Sequence, residues 1–362
     1  ALMESAGISR RLVAVAESMA GPFTGGMATS TILSCLFFGA ISGSGPATTA
    51  AVGMLMIPAM VRHGYDKGYA GAITSSSGGL GVVIPPSIPM VIYGVAASQS
   101  ISDLFIAGFV PGIMLAVGLM LMNYLRSRQK KYQGDGKTLS VKKVVVTMKE
   151  GFWSLLAPVI ILGGIYTGFF TPTEAAIVSI FYTLFVGIFI YKEIELKGAM
   201  KALESTTWIT GRVLIIMFTA LAFGQLLTIN KVPDLIAQGL LNLTDNLYMI
   251  WALIIVFLLF MGMFMETLAT IMLVTPVLLP VMVSFGVDPI HFGVVLVCCC
   301  EIGFATPPLG ENMFIASGVA RTTLEDISLN ALPFVFVSVL VVFLIAYFPA
   351  LTLWLPEFLG GL

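Results

Sequence analysis

Long apolar stretches separated by short clusters of Gly, Pro, Ser and charge run through the chain, and two of them are interrupted in the same way. Gly81-Val-Val-Ile84-Pro85-Pro86-Ser87 breaks an apolar segment over 69–97, and Gly303-Phe-Ala-Thr306-Pro307-Pro308-Leu309 breaks another over 291–320. A Pro pair removes two backbone N–H groups and pushes the preceding residue out of helical geometry, so each segment unwinds and frees carbonyls. The residues upstream keep the same register: Pro58, Met60, Gly64, Asp66 and Gly71 correspond to Pro280, Met282, Gly286, Asp288 and Gly293. The offset is constant (280 − 58 = 303 − 81 = 222) and identifies an internal duplication.

Before the first break, an amphipathic stretch runs from Arg10 to about Met19. It is followed by a 14-residue apolar run, Ala28 to Ile41. At about 1.5 Å per residue that run covers about 21 Å, short of the ~30 Å hydrocarbon core. Ser42-Gly43-Ser44-Gly45-Pro46 then turns the chain into a second short run ending at Arg62, a pattern that predicts a re-entrant hairpin over 28–62. A polar-punctuated stretch from Ser98 to Phe109 precedes a span expected to start at Pro111. Further spans are predicted at 152–170, 175–191 and 206–229. The second half repeats the series: an amphipathic stretch from Pro233 to Leu243, a hairpin over 248–283 turning near Gly262 to Thr267, and the second broken helix. A piece from Thr322 to Leu332 and a last span from Pro333 follow. This divides the chain into a first repeat, 1–127, a loop and connecting helices, 128–204, and a second repeat, 205–362.

Composition places these segments in a bilayer, since 58% of residues are hydrophobic and only 10% charged. If both hairpins are re-entrant, the Lys and Arg residues other than Lys231 and Arg212 gather on one side, which is then cytoplasmic; the basic loop containing Lys131, Lys137 and Lys142 lies there. Five crossings separate equivalent points of the two repeats. An odd number makes their topology inverted. The predicted fold is thus an all-α polytopic membrane protein of two inverted repeats, each with a re-entrant helical hairpin and a broken transmembrane helix. The chain opens at Ala1 without Met, in what resembles the tail of an apolar segment, so the true N-terminus is expected upstream; no signal peptide is visible.

The chemistry is sparse. Cys35 and Cys298-Cys299-Cys300 lack metal-ligand spacing and read as packing residues. There is no Gly-x-x-x-x-Gly-Lys-Ser/Thr phosphate loop, which excludes nucleotide-driven pumping within the chain, and no nucleophile–base pair that would suit an intramembrane enzyme. His63 and His291 are expected at interfaces. Arg212 is expected to snorkel from the cytoplasmic end of its span, with reception of a substrate carboxylate as the alternative. Glu266, Glu301 and Asn312 are polar groups in apolar surroundings, where an unpaired carboxylate is costly. Glu266 and Asn312 read as cavity-lining; for Glu301, pairing with protein and a functional role stay open. The Ser42–Pro46 turn and the two breaks read as contacts to an ion or substrate, because backbone reversed or unwound at membrane depth needs a partner; close helix packing is the alternative.

Ser42-Gly-Ser-Gly-Pro-Ala-Thr, Gly81-Val-Val-Ile-Pro-Pro-Ser, Thr171-Pro-Thr-Glu-Ala-Ala and Gly303-Phe-Ala-Thr-Pro-Pro-Leu-Gly-Glu-Asn312, in this order, carry a resemblance. The chain resembles the large membrane (M) subunit of tripartite ATP-independent periplasmic (TRAP) transporters over essentially its whole length. The resemblance implies a sodium-driven, elevator-type importer of an organic acid anion, such as a C4-dicarboxylate or a sialic acid, in the bacterial inner membrane. It also implies two protein partners, a small membrane (Q) subunit and a periplasmic substrate-binding protein, with lipid around the chain and no nucleic acid. Transferred by motif, one sodium site falls on Ser42, Ser44, Gly81, Ile84 and Pro85, and a second on Gly262, Gly303, Thr306 and Leu309. Ser87, Glu266, Thr267 and Asn312 are then the candidate substrate-cavity residues. Glu266 stands where many relatives are expected to carry Asp or Asn. The other readings are a self-sufficient ion-coupled carboxylate carrier and a passive channel.

Overall fold

The computed structural model describes residues 2–21, 23–132, 140–244, 246–308 and 310–360, and among these the regular structure is helical throughout. A short helix α1 (Leu2–Ser5) leads into α2 (Ile8–Ala20), then the hairpin pair α3 (Gly26–Ser42) and α4 (Gly45–Arg62). The first broken helix comprises α5 (Lys67–Gly78), α6 (Leu80–Val83) and α7 (Ile88–Ala97), with a bend of 45° at Ile84–Ser87. Then come α8 (Ile101–Lys130), α9 (Val141–Glu150), α10 (Phe152–Tyr166), α11 (Pro172–Phe185) with a wider π turn over Val186–Ile190, and α12 (Leu196–Ile229). The chain continues through α13 (Val232–Leu243), the second hairpin pair α14 (Leu247–Phe264) and α15 (Thr267–Ser284), and the second broken helix, α16 (Pro289–Phe304) and α17 (Glu311–Ala320). It ends with α18 (Leu324–Tyr347) and α19 (Ala350–Phe358).

The 222-residue register survives in the helix boundaries. Gly45 and Thr267 both open the second helix of a hairpin, Arg62 and Ser284 both close it, and Gly64 and Gly286 both take positive φ, 84° and 78°. Both X-Pro bonds inside the breaks, Pro85-Pro86 and Pro307-Pro308, are cis. Two boundaries differ from the sequence pattern. Pro111 and Pro333, equivalent residues, do not begin helices; each lies inside one continuous helix, α8 and α18. Proline is tolerated inside membrane helices because neighbouring groups satisfy the carbonyl it leaves free. The hairpin helices are also longer than their apolar cores, 17 and 18 residues in the first repeat, because Gly26 and Ser42 at the polar ends stay helical.

Among the described residues, six helices are long and apolar enough to cross a membrane, or up to eight if each of two bent pairs is one span. Burial sorts them. Every residue of α16 from Ile290 to Phe304 is buried, the signature of a helix apolar all round and enclosed by protein. Around it pack α14, α15, α7, α8 and α18, with α5 between α4 and α18. By contrast α12 exposes Trp208, Ile215 and Phe218, and Phe181 and Phe189 stand out from the α11 region. The core therefore consists of hairpins and broken helices, with α10–α12 as a thinly packed flank. All four cysteines are free and buried, as packing residues should be.

Inside the core, polar groups are satisfied locally or in small networks. Ser30, Thr31, Ser34 and Thr74 donate to the carbonyl four residues back. Asn123 on α8 accepts from Tyr69 Oη at 2.7 Å and from Ser127, and donates to Gly25 O and Thr29 Oγ1, tying α8 to α5 and to the start of α3. The equivalent of Tyr69 is His291. It is not interfacial: its ring is 1% exposed, with Nδ1 at 2.8 Å from Thr352 Oγ1 and Nε2 at 3.2 Å from Ala346 O. Tyr69 pins the start of the first broken helix to α8, and His291 pins the start of the second to α18 and α19. Replacing Asn123 by Ala strands the buried Tyr69 hydroxyl, so Asn123→Ala should destabilise the fold by about 1–3 kcal/mol, and Tyr69→Phe by less. Thermal melting of the purified protein checks this, and a midpoint no lower than wild type for Asn123→Ala would count against the network.

Candidate functional site

In the first repeat the turn between α3 and α4 is made by Gly43, whose φ of 65° lies in the left-handed region that glycine enters freely. Ser44 caps α4 through Ala47 N, and Pro46 follows in the first turn, where its missing N–H costs nothing. This tip sits directly on the first break. Ile88 N donates to Gly43 O at 3.2 Å, and a Cβ on Gly81 would meet Ser44 O at 3.1 Å. Ser42, Ser44 and Gly81 are thus brought together, with Ile84 and Pro85 following at the break. Thr48 joins them: its hydroxyl donates to Ser44 O at 2.8 Å and abuts Gly81. Thr48 ends the Ser-Gly-Ser-Gly-Pro-Ala-Thr run, and its position one helical turn past Ser44 was the available signal.

In the second repeat the approach is closer still. A Cβ on Gly303 would stand 2.6 Å from Gly262 Cα and 2.8 Å from Gly262 O, and one on Gly262 would stand 2.9 Å from Cys300 O. Only glycine lets these backbones meet. Thr306 lies just beyond, its hydroxyl donating to Ile302 O at 2.7 Å and its N–H to Gly303 O at 2.9 Å. Leu309 lies outside the described residues. Gly39 repeats the arrangement in the first half, since a Cβ there would be 2.8 Å from Gly81 Cα.

Both tips border one cavity of about 650 Å³, within the range of small-molecule sites. Ser42 to Ala47 line it from the first hairpin, Glu266 and Thr267 from the second, and Arg212 from α12. Glu301 and Glu311 reach it from α16 and α17. Glu266 caps α15 through Ala269 N and faces Arg212 at 3.7 Å. That pair is partly exposed and adds little stability, though it joins the flank to the second tip. Arg212, itself largely exposed, thus borders the cavity. Ser87 and Asn312 are buried beside it: Ser87 caps α7 through Met90 N, and Asn312 is 0% exposed. Glu311 was within a quoted motif, yet nothing in the sequence distinguished it from its neighbours.

A family model described as "Tripartite ATP-independent periplasmic transporter, DctM component" matches residues 1–351. The chain belongs to the DctM family. It is 44% identical over 359 residues to an isethionate TRAP transporter permease protein DctMQ of Oleidesulfovibrio alaskensis, covering 99% of this chain but 56% of that relative. It is 39% identical over 360 residues to a C4-dicarboxylate TRAP transporter large permease protein DctM of Pseudomonas aeruginosa, and equally to a sialic acid large permease SiaM of Vibrio cholerae. Each of those matches covers 99% of this chain and 84% of the relative. The chain thus spans little more than half of the first relative's length. Membership of the DctM family, with six to eight candidate spans among the described residues, makes it a multi-pass membrane protein of the bacterial inner membrane.

The Gly262–Gly303 contact gives a direct test. In Gly303→Ala the methyl group must push backbone, not a flexible side chain, and overpacking of this kind costs about 1–3 kcal/mol. Gly318 has nothing within 4 Å of its Cβ position, so Gly318→Ala should melt at or above wild type. Equal melting of Gly303→Ala and wild type would show that tip and break do not touch.

Proposed function

We propose that this chain is the large permease subunit of a sodium-coupled secondary transporter. It imports an organic acid anion delivered by a periplasmic binding protein, works with a small membrane (Q) subunit, and moves by elevator-type alternating access. The observation that carries the reading is that each hairpin tip sits on the helix break of its own repeat while both tips border one cavity. Unwound carbonyls and a Ser or Thr hydroxyl are the oxygen donors a hard cation takes, and they need partners at membrane depth.

On this reading the two repeats, 1–127 and 205–362, are inverted and the hairpins re-entrant. The first sodium site is Ser42, Ser44, Gly81, Ile84 and Pro85, to which Thr48 is added, and the second is Gly262, Gly303, Thr306 and Leu309. Glu266 and Thr267 line the substrate cavity, with Ser87 and Asn312 behind its wall. Arg212 is the one described cation on that wall and suits the anionic head that isethionate, C4-dicarboxylates and sialic acids share. The tightly packed block of hairpins and broken helices is the moving part, and the thin flank of α10–α12 is the part it slides against. Three carboxylates, Glu266, Glu301 and Glu311, face a single Arg. An anion entering such a cavity is repelled until cations load, which orders sodium before substrate.

Sodium-dependent uptake into liposomes holding this chain, its small subunit and the binding protein tests the reading. Uptake should be small when the binding protein is omitted. Removing one hydroxyl ligand, in Ser42→Ala or Thr306→Ala, should cost about 1–3 kcal/mol, raising the half-saturating sodium concentration about 5- to 150-fold, with partial recovery at saturating sodium. An unchanged half-saturating concentration in both folded variants would remove these residues from ion binding.

A further inference from the structure

Buried polar atoms without hydrogen-bond partners collect at one place that neither sodium site includes. Glu301 is 4% exposed; its Oε1 accepts from Thr267 Oγ1 at 2.9 Å, and its Oε2 has no partner. Asn312 is 0% exposed, and neither end of its amide is paired. A Cβ on Gly45 would lie 2.5 Å from Glu301 Oε2 and 3.4 and 3.5 Å from Asn312 Nδ2 and Oδ1, so carboxylate and amide converge on that glycine. Thr49 Oγ1, also buried and unpartnered, stands against Gly78, whose Cβ position is 3.2 Å from the Gly45 carbonyl oxygen.

The location is as informative as the chemistry. Glu301 is the 222-residue equivalent of Gly79, and the two touch: a Cβ on Gly79 would be 3.2 Å from Glu301 Cβ. Thr267 and Gly45, which meet the two carboxylate oxygens, are likewise equivalent, the first residues of α15 and α4. A single carboxylate therefore sits where the repeats meet and bridges the starts of both second hairpin helices. Those helix ends favour an anion only weakly, and both are already capped, by Ser44 and Glu266. The desolvation penalty of a bare buried carboxylate exceeds this.

We propose that Glu301 Oε2, Asn312 Oδ1, Thr49 Oγ1 and the Gly45 carbonyl form a third site for a monovalent hard cation, sodium, at the junction of the two repeats. The donor set is all oxygen with one formal charge, which suits a singly charged ion. A proton on Oε2 shared with Asn312 Oδ1 would leave Thr49 as it is, whereas sodium draws on the four oxygens together and leaves only Asn312 Nδ2 aside. Because the ion joins α4 of one repeat to α16 and α17 of the other, its binding locks the hairpin tips in one relative position. The proposal rests on the sodium-coupled reading above.

Equilibrium binding of radioactive sodium to the purified full chain, with no substrate or partner required, decides it. Glu301→Gln should bind one sodium fewer per chain than wild type, while Ser42→Ala and Thr306→Ala lose affinity at their own sites and Glu301 keeps its ion. Asn312→Ala should bind its last sodium roughly tenfold more weakly, and it decides the matter in the same way if Glu301→Gln does not fold. An undiminished sodium count in Glu301→Gln, or in Asn312→Ala an unchanged affinity, overturns the site. So does an undiminished count accompanied by loss of the pH dependence of melting in Glu301→Gln, which would assign a proton instead. A wild-type chain that binds no sodium at all fails the sodium-coupled reading itself, a result distinct from loss of the third site alone.

Discussion

The backbone at the two helix breaks cannot satisfy itself, and the rest of the architecture follows from that. Each Pro pair leaves carbonyls without helical partners at a depth where lipid supplies no donors. The hairpin tips come close enough to fill that gap because glycine stands on both sides of each contact: Gly39 against Gly81, and Gly262 against Gly303. Side chains would hold the tips off and open the junction. With glycines there, tip and break form a rigid pair in which small hydroxyls, from Ser42, Thr48 and Thr306, sit among backbone oxygens.

The duplication then places two such junctions in one block, but it does not make them equal. The first tip is a run of Gly and Ser; the second carries Glu266, which caps α15 and faces Arg212 across the cavity. At the meeting point of the repeats one side has Gly79 and the other Glu301. A carboxylate can occupy that point only because its counterpart is a glycine that leaves room. The second repeat thereby brings the negative charge and the first brings the space, and on the proposed reading cation loading prepares the cavity for an anion.

Much of this was legible in the chain. The Pro pairs located the breaks, the fixed register found the repeats, and Ser42 through Gly45 marked a tip. Helix continuity through Pro111 and Pro333 was not legible, because it depends on neighbouring helices satisfying the freed carbonyls. His291 reads as interfacial by its place at a helix end; only the fold shows Thr352 and Ala346 closing around it. That Arg212 stands 3.7 Å from Glu266 depends on α12 packing alongside the second tip, which spacing does not carry. Thr48 and Glu311 were inside recognised motifs, but which face of a helix meets the cavity is a property of packing that spacing alone does not carry.

The central claim is that both hairpin tips are held on their breaks by sodium. Hydrogen exchange of the backbone amides around 42–48 and 84–88, and around 262–269 and 303–308, compared in sodium and in an equal concentration of potassium, tests this most directly. Bound sodium should slow exchange at both junctions together while leaving the exposed flank of α12 unchanged. Identical exchange at both junctions in the two salts would contradict the account.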